Sequence, residues 1–251
     1  MDVSNKRGFD IDLLLRWFQF GAFTSIFRVH GYRSPVITDT LPCSSDTRYS
    51  SGLGEPSRFR CHLGCILLKM PAMSLPTGLS PTSGHNEVYT FTAADNAEFN
   101  YSAAITKVVR LRESMRGYVG QLFANYSRTG EPVMRPMFYD FPTDRACATP
   151  AAGDQYMFGP RVLVAPITAN CTADGLSCTS RHVYLPPLPG GEVWTNVFTN
   201  RTAAGGSNAS VAGPRDTFPL FVRGPPSAID EVFNASISPL AGWRDEDDRG
   251  K

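Results

Sequence analysis

The chain has 251 residues, 42% of them hydrophobic and 19% charged, with a formal net charge of +1. That length provides a sizeable buried core in one large domain or two small ones. The near-neutral balance argues against nucleic acid or an anionic membrane surface as main partner, and no run approaches the roughly 18 apolar residues of a membrane span.

The opening stretch, MDVSNKRGFDIDLLLRWFQF, carries mixed charges, and Asp12, Arg16 and Gln19 interrupt its apolar residues. That is not the layout of a signal peptide. Residues 10–30 read as a helix running into an apolar, extended segment. Asp10 or Asp12 caps the start, and Leu13, Leu14, Trp17, Phe18 and Phe20 give a broad apolar face. Gly21 marks close packing or the helix end. Trp17, Phe20 and Phe23 have ring faces able to stack on a ligand, although helical placement favours core packing.

Residues 34–83 differ in texture: they are rich in Ser, Pro, Thr and Gly, hold half of the six cysteines, and show no sustained period. A structureless loop this long is uncommon inside a compact domain. It reads as a functional insertion, a disordered segment, or sequence outside the mature protein. Within it, Cys61-His62-x-x-Cys65 with His85 beyond has zinc-ligating residue types, but the spacing fits no standard finger, and no metal is expected.

The helical period returns over residues 100–128, where Ile105, Val108, Leu111, Met115, Tyr118, Leu122 and Phe123 form one stripe. Lys107, Arg110, Arg112 and Glu113 lie away from it, and Gly130 stands at the expected stop. PVMRPMFYDFP then reads as a short strand bounded by prolines. Beyond Asp154 the pattern is all-β: QYMFG, RVLVAPI, HVYLPPL, EVWTNVFT and TFPLFVR are short aromatic and β-branched runs between turn clusters. Pro189-Gly190-Gly191 looks like a hairpin turn, and the whole like an antiparallel sandwich, with Trp194 in its core. From about Ile237 the chain reads as a polar tail.

Six sequons, at Asn100, Asn125, Asn170, Asn200, Asn208 and Asn234, lean towards a secretory-pathway or extracellular parent protein. Cys171 and Cys178 flank one loop and either close a disulfide or stay as two thiols.

Several of these runs carry a resemblance to a known family. LLLRWFQFGAFTSIFRVHG is similar to the R-W-x-Q-x-G-A-F-x-P-x-x-R-x-H stretch of glycoside hydrolase family 31, and LRESMRGYV to its L-R-x-x-L-R-P-Y helix. GEPVMRPMFYDFPTD resembles its G-x-P-V-M-R-P-L-F-x-E-F-P segment, and GDQYMFGPRVLVAPI its D-x-Q-x-M-F-G-P-x-L-L-V-A-P-V junction. VYLPP, VWTNVFTN and FPLFVRG follow in the family's order. GHNEVYTF, at 84–91, resembles a segment of the xylosidase-like branch. Ser25 and Gly117 stand where the family has proline, and Asn196 and Asn200 replace the aspartate and glycine of W-x-D-x-x-T-G.

The resemblance implies an α/β plus β fold: the last part of a (β/α)8 barrel in residues 1–150, a β-sandwich in 151–236 and a tail in 237–251. A whole barrel takes about 250 residues, so the chain reads as the C-terminal portion of a longer protein. The implied activity is retaining hydrolysis of terminal α-glucosidic or α-xylosidic bonds, with a carbohydrate substrate and no cofactor. The alternative is a non-catalytic carbohydrate-binding or structural module. Retention of configuration needs two carboxyl groups about 5–5.5 Å apart. Neither family aspartate motif occurs here, so no catalytic residue is expected in the chain and the chain alone is expected to be inactive.

His30 matches the histidine ending the family's R-x-H motif, which contacts sugar hydroxyls; imidazole suits this by donating from one nitrogen and accepting at the other. Arg28, two residues earlier, points the same way on an extended backbone, as support or as sugar contact. Asp140 sits at a strand end, where barrel chemistry is found, but reads better as an orienting, hydrogen-bonded group. Asp154 reads as a turn or salt-bridge residue, and Glu87 and Glu113 as solvated or ion-paired.

Overall fold

The computed structural model describes residues 11–28, 88, 91, 93, 96–168 and 178–240. Most of residues 29–95, including the 34–83 stretch, lies outside this set, as do residues 241–251 of the tail. Residues 11–28 and 100–240 form one unit in which helices lie on one face of a six-stranded antiparallel sheet and a two-stranded sheet lies on the other.

Helix α1 (Ile11–Gly21) buries Leu15, Phe18 and Gln19, while Trp17 stays 45% exposed, edge-on to Phe20. The apolar stripe of residues 100–128 folds as two helices, α2 (Tyr101–Ser114) and α3 (Arg116–Thr129). Asn100 caps α2 by accepting a bond from the Ala103 amide at 3.0 Å. The break falls at Met115, with Gly117 in the first turn of α3, where the family pattern has a proline that favours a helix start. The Ser114 carbonyl freed by the break accepts the Asn234 amide at 2.9 Å. Ile105, Val108, Leu111, Met115, Tyr118 and Leu122 are buried as the period predicts, but Phe123 is 39% exposed, since it lies about 100° round the helix from Leu122 and off the buried stripe. Gly130, at φ 76, ends α3 in the left-handed conformation.

Strand β1 (Met134–Pro136) runs into a single helical turn, α4 (Met137–Asp140), so the proline-bounded run is half strand and half helix. Then follow β2 (Tyr156–Phe158), β3 (Val162–Val164), β4 (Cys178–Leu185), β5 (Val193–Asn196), β6 (Thr202–Ala204), β7 (Ser207–Gly213), β8 (Leu220–Arg223) and a short helix α5 (Ala228–Val232). The large sheet has the order β1-β2-β3-β8-β5-β6, and β4 pairs with β7. β1 is an edge strand of that sheet, so the sheet begins ahead of residue 151. Pro189-Gly190-Gly191 makes a 3-10 turn between β4 and β5, which lie in different sheets; it is a crossover, not a hairpin.

Strand alternation sorts the core into two layers. Met157, Leu163, Trp194 and Phe221 meet Val183 and Leu185 of β4. Phe158 points the other way, against Phe23 at 5.8 Å and Tyr118 at 6.3 Å. Because both faces are covered, these strands read as unbroken apolar runs. The indole Nε1 of Trp194 donates to the Pro186 carbonyl at 2.8 Å, satisfying the one polar atom of the largest core side chain. Leu240 is buried, so the polar tail begins later than Ile237.

The turn between β2 and β3 presses on α3. Gly159 has φ +62, and a Cβ there would run into the Tyr118 hydroxyl and Leu122. Gly159→Ala is therefore expected to lower stability by about 2–4 kcal/mol. Gly120→Ala, on α3 with nothing within 4 Å, is expected to raise it by about 0.5–1 kcal/mol. Urea denaturation of the two variants checks both signs.

Candidate functional site

The sequence candidates Arg28 and His30 follow the exit from α1, and the structure gives that exit in detail up to Arg28. The Ala22, Phe23 and Thr24 amides donate to Phe18, Phe20 and Gly21 carbonyls at 3.0–3.1 Å, tightening the last turn. Gly21 packs under Phe27, whose ring meets Phe18 edge-on at 6.0 Å. Three successive carbonyls beyond the helix then point at side chains from elsewhere. Arg112 of α2 donates through Nη1 to Ala22 O at 2.9 Å and Thr24 O at 3.0 Å. Between them, Phe23 O accepts the Tyr156 hydroxyl at 3.1 Å. The Arg112 guanidinium also lies over the Phe158 ring, 5.4 Å from its centre. Burial lowers the Arg112 pKa below the arginine range, which leaves it a cation at any physiological pH.

This clamp was not visible in the sequence, which placed Arg112 on the outer side of the helix. Its signal was its position one residue after buried Leu111, on the flank of the stripe and able to reach past it. Beyond the clamp Arg28 is exposed. His30 lies outside the described residues. Phe23 is fully buried between Phe158 and Phe218, and Phe20 meets Tyr156 at 5.9 Å; of the three candidate stacking rings, Trp17 alone is largely exposed.

Upstream, α1 is docked by polar atoms. Arg16 donates to the carbonyls of Gly213, Pro214 and Thr217 at 3.0, 3.0 and 3.1 Å, and Gln19 to that of Arg215 at 2.8 Å. Arg215 in turn pairs with Asp12 at 3.1 Å. One arginine and one glutamine thus satisfy carbonyls at the end of β7 and in the irregular stretch that follows it.

Asp140 is engaged elsewhere. Its Oδ1 accepts from Arg135 Nη1 at 2.9 Å, while Oδ2 is buried and has no hydrogen-bond partner. Arg135 is 6% exposed and also bonds Glu131 at 3.1 Å and the Pro132 carbonyl at 2.8 Å. Burial raises the Asp140 pKa, with the hydrogen bond and charge of Arg135 opposing. Such a carboxylate orients an arginine and closes the β1–α4 corner. Asp154 pairs with Arg181 at 2.5 Å and Glu113 with Arg116 at 2.6 Å; Glu87 lies outside the described residues.

The two polar departures from the family pattern keep its geometry. Asn196 Oδ1 accepts the Phe198 and Thr199 amides at 3.0 Å each, as an aspartate oxygen would. Asn200 has φ 57, a left-handed position where asparagine is the best replacement for glycine.

Of the sequons, Asn100, Asn200, Asn208 and Asn234 are exposed and Asn125 is half-buried; Asn170 lies outside the described residues. So does Cys171, and of Cys178 only its place in β4 is described. Cys147 is a buried free thiol whose pKa burial pushes up to about 12. Among the described residues no group of three His, Cys, Asp or Glu has the geometry to hold a metal ion, and no helix is long and apolar enough to cross a membrane.

Comparison with known proteins bears out the motif resemblance. Residues 130–225 match the glycosyl hydrolase family 31 C-terminal domain. The α-xylosidase of Saccharolobus solfataricus is 34% identical over 212 residues, 84% of this chain and 20% of that protein. Alpha-glucosidase 2 of Bacillus thermoamyloliquefaciens is 31% identical over 140 residues, 55% of this chain and 16% of the relative. The crystal structure of a family 31 α-xylosidase from a soil metagenome, complexed with xylose, superposes with a TM-score of 0.59 at 28% identity, covering 88% of this chain and 26% of its own. The chain thus spans about a fifth of the length of the relatives it matches.

Two outcomes are expected. Arg112→Ala leaves two carbonyls without a donor and is expected to cost about 2–4 kcal/mol, with faster hydrogen exchange at the Phe23 and Thr24 amides. Asp140, whose folded pKa is raised above 3.8, binds its proton more tightly when folded. Its contribution to stability is present below about 3.8 and is lost as pH rises through the folded value. Asp140→Asn lacks that loss, so urea melts should show the variant gaining on the parent as pH rises above about 3.8.

Proposed function

We propose that this chain forms the C-terminal part of a retaining α-glycosidase of glycoside hydrolase family 31, acting on terminal α-glucosidic or α-xylosidic bonds. In this reading the helices ahead of β1 close the end of a (β/α)8 barrel, strands β1 to β8 are the β-sandwich that buttresses it, and the sequence after Leu240 is a polar tail. The observation that carries the reading is that motifs separate in sequence meet in one core. Arg16 and Gln19 of the first motif bond the stretch leading into FPLFVRG. Arg112 and Tyr118 of the second lie against Phe158 of the fourth.

His30 then contacts sugar hydroxyls, and Arg28 supports it. The clamp on residues 22–24 sets the direction in which their segment leaves α1. Such positioning is worth most when the reacting groups are held in near-attack geometry. The nucleophile and the acid/base come from sequence outside this chain. Asp140 serves neither role, since Arg135 holds one oxygen and the other is buried. The exposed sequon asparagines suit a glycosylated parent protein of the secretory pathway. The chemistry needs no metal or organic cofactor.

The purified 251-residue chain is expected to release no nitrophenol from aryl α-xylosides or α-glucosides. A longer reading frame in the transcript, carrying both aspartate motifs, is expected to encode turnover that His30→Ala reduces by about 100-fold or more. Turnover by the short chain itself, lost on His30→Ala, would overturn the assignment of the carboxylates.

A further inference from the structure

The end of the large sheet nearest α5 gathers four charged side chains that nothing above uses. Neighbouring strands β3, β8 and β5 bring Arg161, Arg223 and Glu192 to one edge, and α5 adds Glu231. With Pro160, Gly224, Pro225 and Ala228 they line a cleft of about 340 Å³. Arg161 Nη2 meets Glu231 Oε2 and Arg223 Nε meets Glu192 Oε2, each at 2.6 Å. The backbone fixes the arginines to each other: the Arg223 amide donates to the Arg161 carbonyl at 2.8 Å.

We propose that this cleft binds a neutral oligosaccharide end; the choice of sugar as ligand class rests on the glycosidase reading above. Three features point to such a ligand. Charge is balanced, two guanidinium groups against two carboxylates, so an anion would face both glutamates and a cation both arginines. Each ion pair commits one guanidinium nitrogen and one carboxylate oxygen, leaving further donors and acceptors side by side at the rim. Sugar hydroxyls, which donate and accept at once, use such a rim better than any ion does. The exposed Pro160 and Pro225, also in the lining, offer apolar surface for the C–H face of a pyranose. The volume lies at the lower end of small-molecule clefts, which begin at about 300 Å³, and suits a mono- or disaccharide. The side chains remain 33–56% exposed, so the pairs are worth little to the fold and are available to a ligand.

Titration calorimetry and saturation-transfer NMR on the 251-residue chain with maltose and with an α-xylosyl-glucose disaccharide test the proposal. A dissociation constant of about 1–10 mM is expected for at least one of the two. Arg223→Ala and, independently, Glu231→Gln should each weaken it about tenfold, with unchanged circular dichroism spectra. Glu231 lies on the surface, so that variant keeps the test open if Arg223→Ala fails to fold. No binding at about 50 mM, binding that neither substitution weakens, or equally tight binding of inorganic phosphate would each overturn the cleft as a sugar site. Turnover by the longer enzyme with no binding here would sink this proposal and leave the glycosidase reading standing. Binding here with no turnover there would do the reverse.

Discussion

Backbone carbonyls outside the sheets and helices must find donors, and two arginines meet that need at the joints of this fold. Arg16 takes three carbonyls at the end of β7 and just beyond it, and Arg112 takes two at the exit of α1. A buried carbonyl left without a partner costs about 1–3 kcal/mol. The geometry of the fork explains why arginine does this: one planar group with several donors satisfies diverging acceptors at once. Burial lowers the pKa of both, Arg16 partly offset by Asp12, and neither loses its charge. With α1 and α2 held, Phe23, Phe158, Phe198 and Phe218 stack edge to face behind them, and the helical face of the sheet is sealed.

Legibility in the sequence followed burial on both faces. VLV and PLFV read as strands because every side chain in them is buried, Leu163 against the small sheet and, by strand alternation, Val162 and Val164 on the opposite face. β6 and β7 escaped notice because TAAGGSNASVAG is made of small and polar residues with weak strand preference. Their alternation is real: Ala209 and Val211 pack on the core while Asn208 and Ser210 face out. It shows only once the pairing partner β4 is known. The break at Met115 was hidden for a related reason, since an unbroken stripe and two helices in nearly the same phase give the same pattern of buried residues from Ile105 to Leu122.

The candidate site was less legible than the fold. Arg28 and His30 stood out by pattern, yet the residues that fix the approach to them, Arg112 and Tyr156, come from a helix and a strand distant in sequence. Hydrogen bonds from a side chain to a remote carbonyl leave no period and no local signature. The cleft at Arg161 and Arg223 was equally invisible, because the order of strands β3, β8 and β5, not any spacing along the chain, brings its walls together.

Most of the motif residues that carry the resemblance turn out to be packing residues. Arg16, Gln19, Gly21 and Phe23 dock α1; Tyr118 bonds the Phe158 carbonyl at 2.8 Å; Trp194 fills the sandwich. Their substitutions respect geometry before chemistry, as Asn196 and Asn200 do when they keep a turn acceptor and a left-handed residue. A pattern retained for packing is strong testimony about fold and weak testimony about substrate. The sugar that such a protein selects is therefore better sought among the side chains packing does not consume: Trp17 and Arg28 at the ends of α1, and the paired charges beside α5.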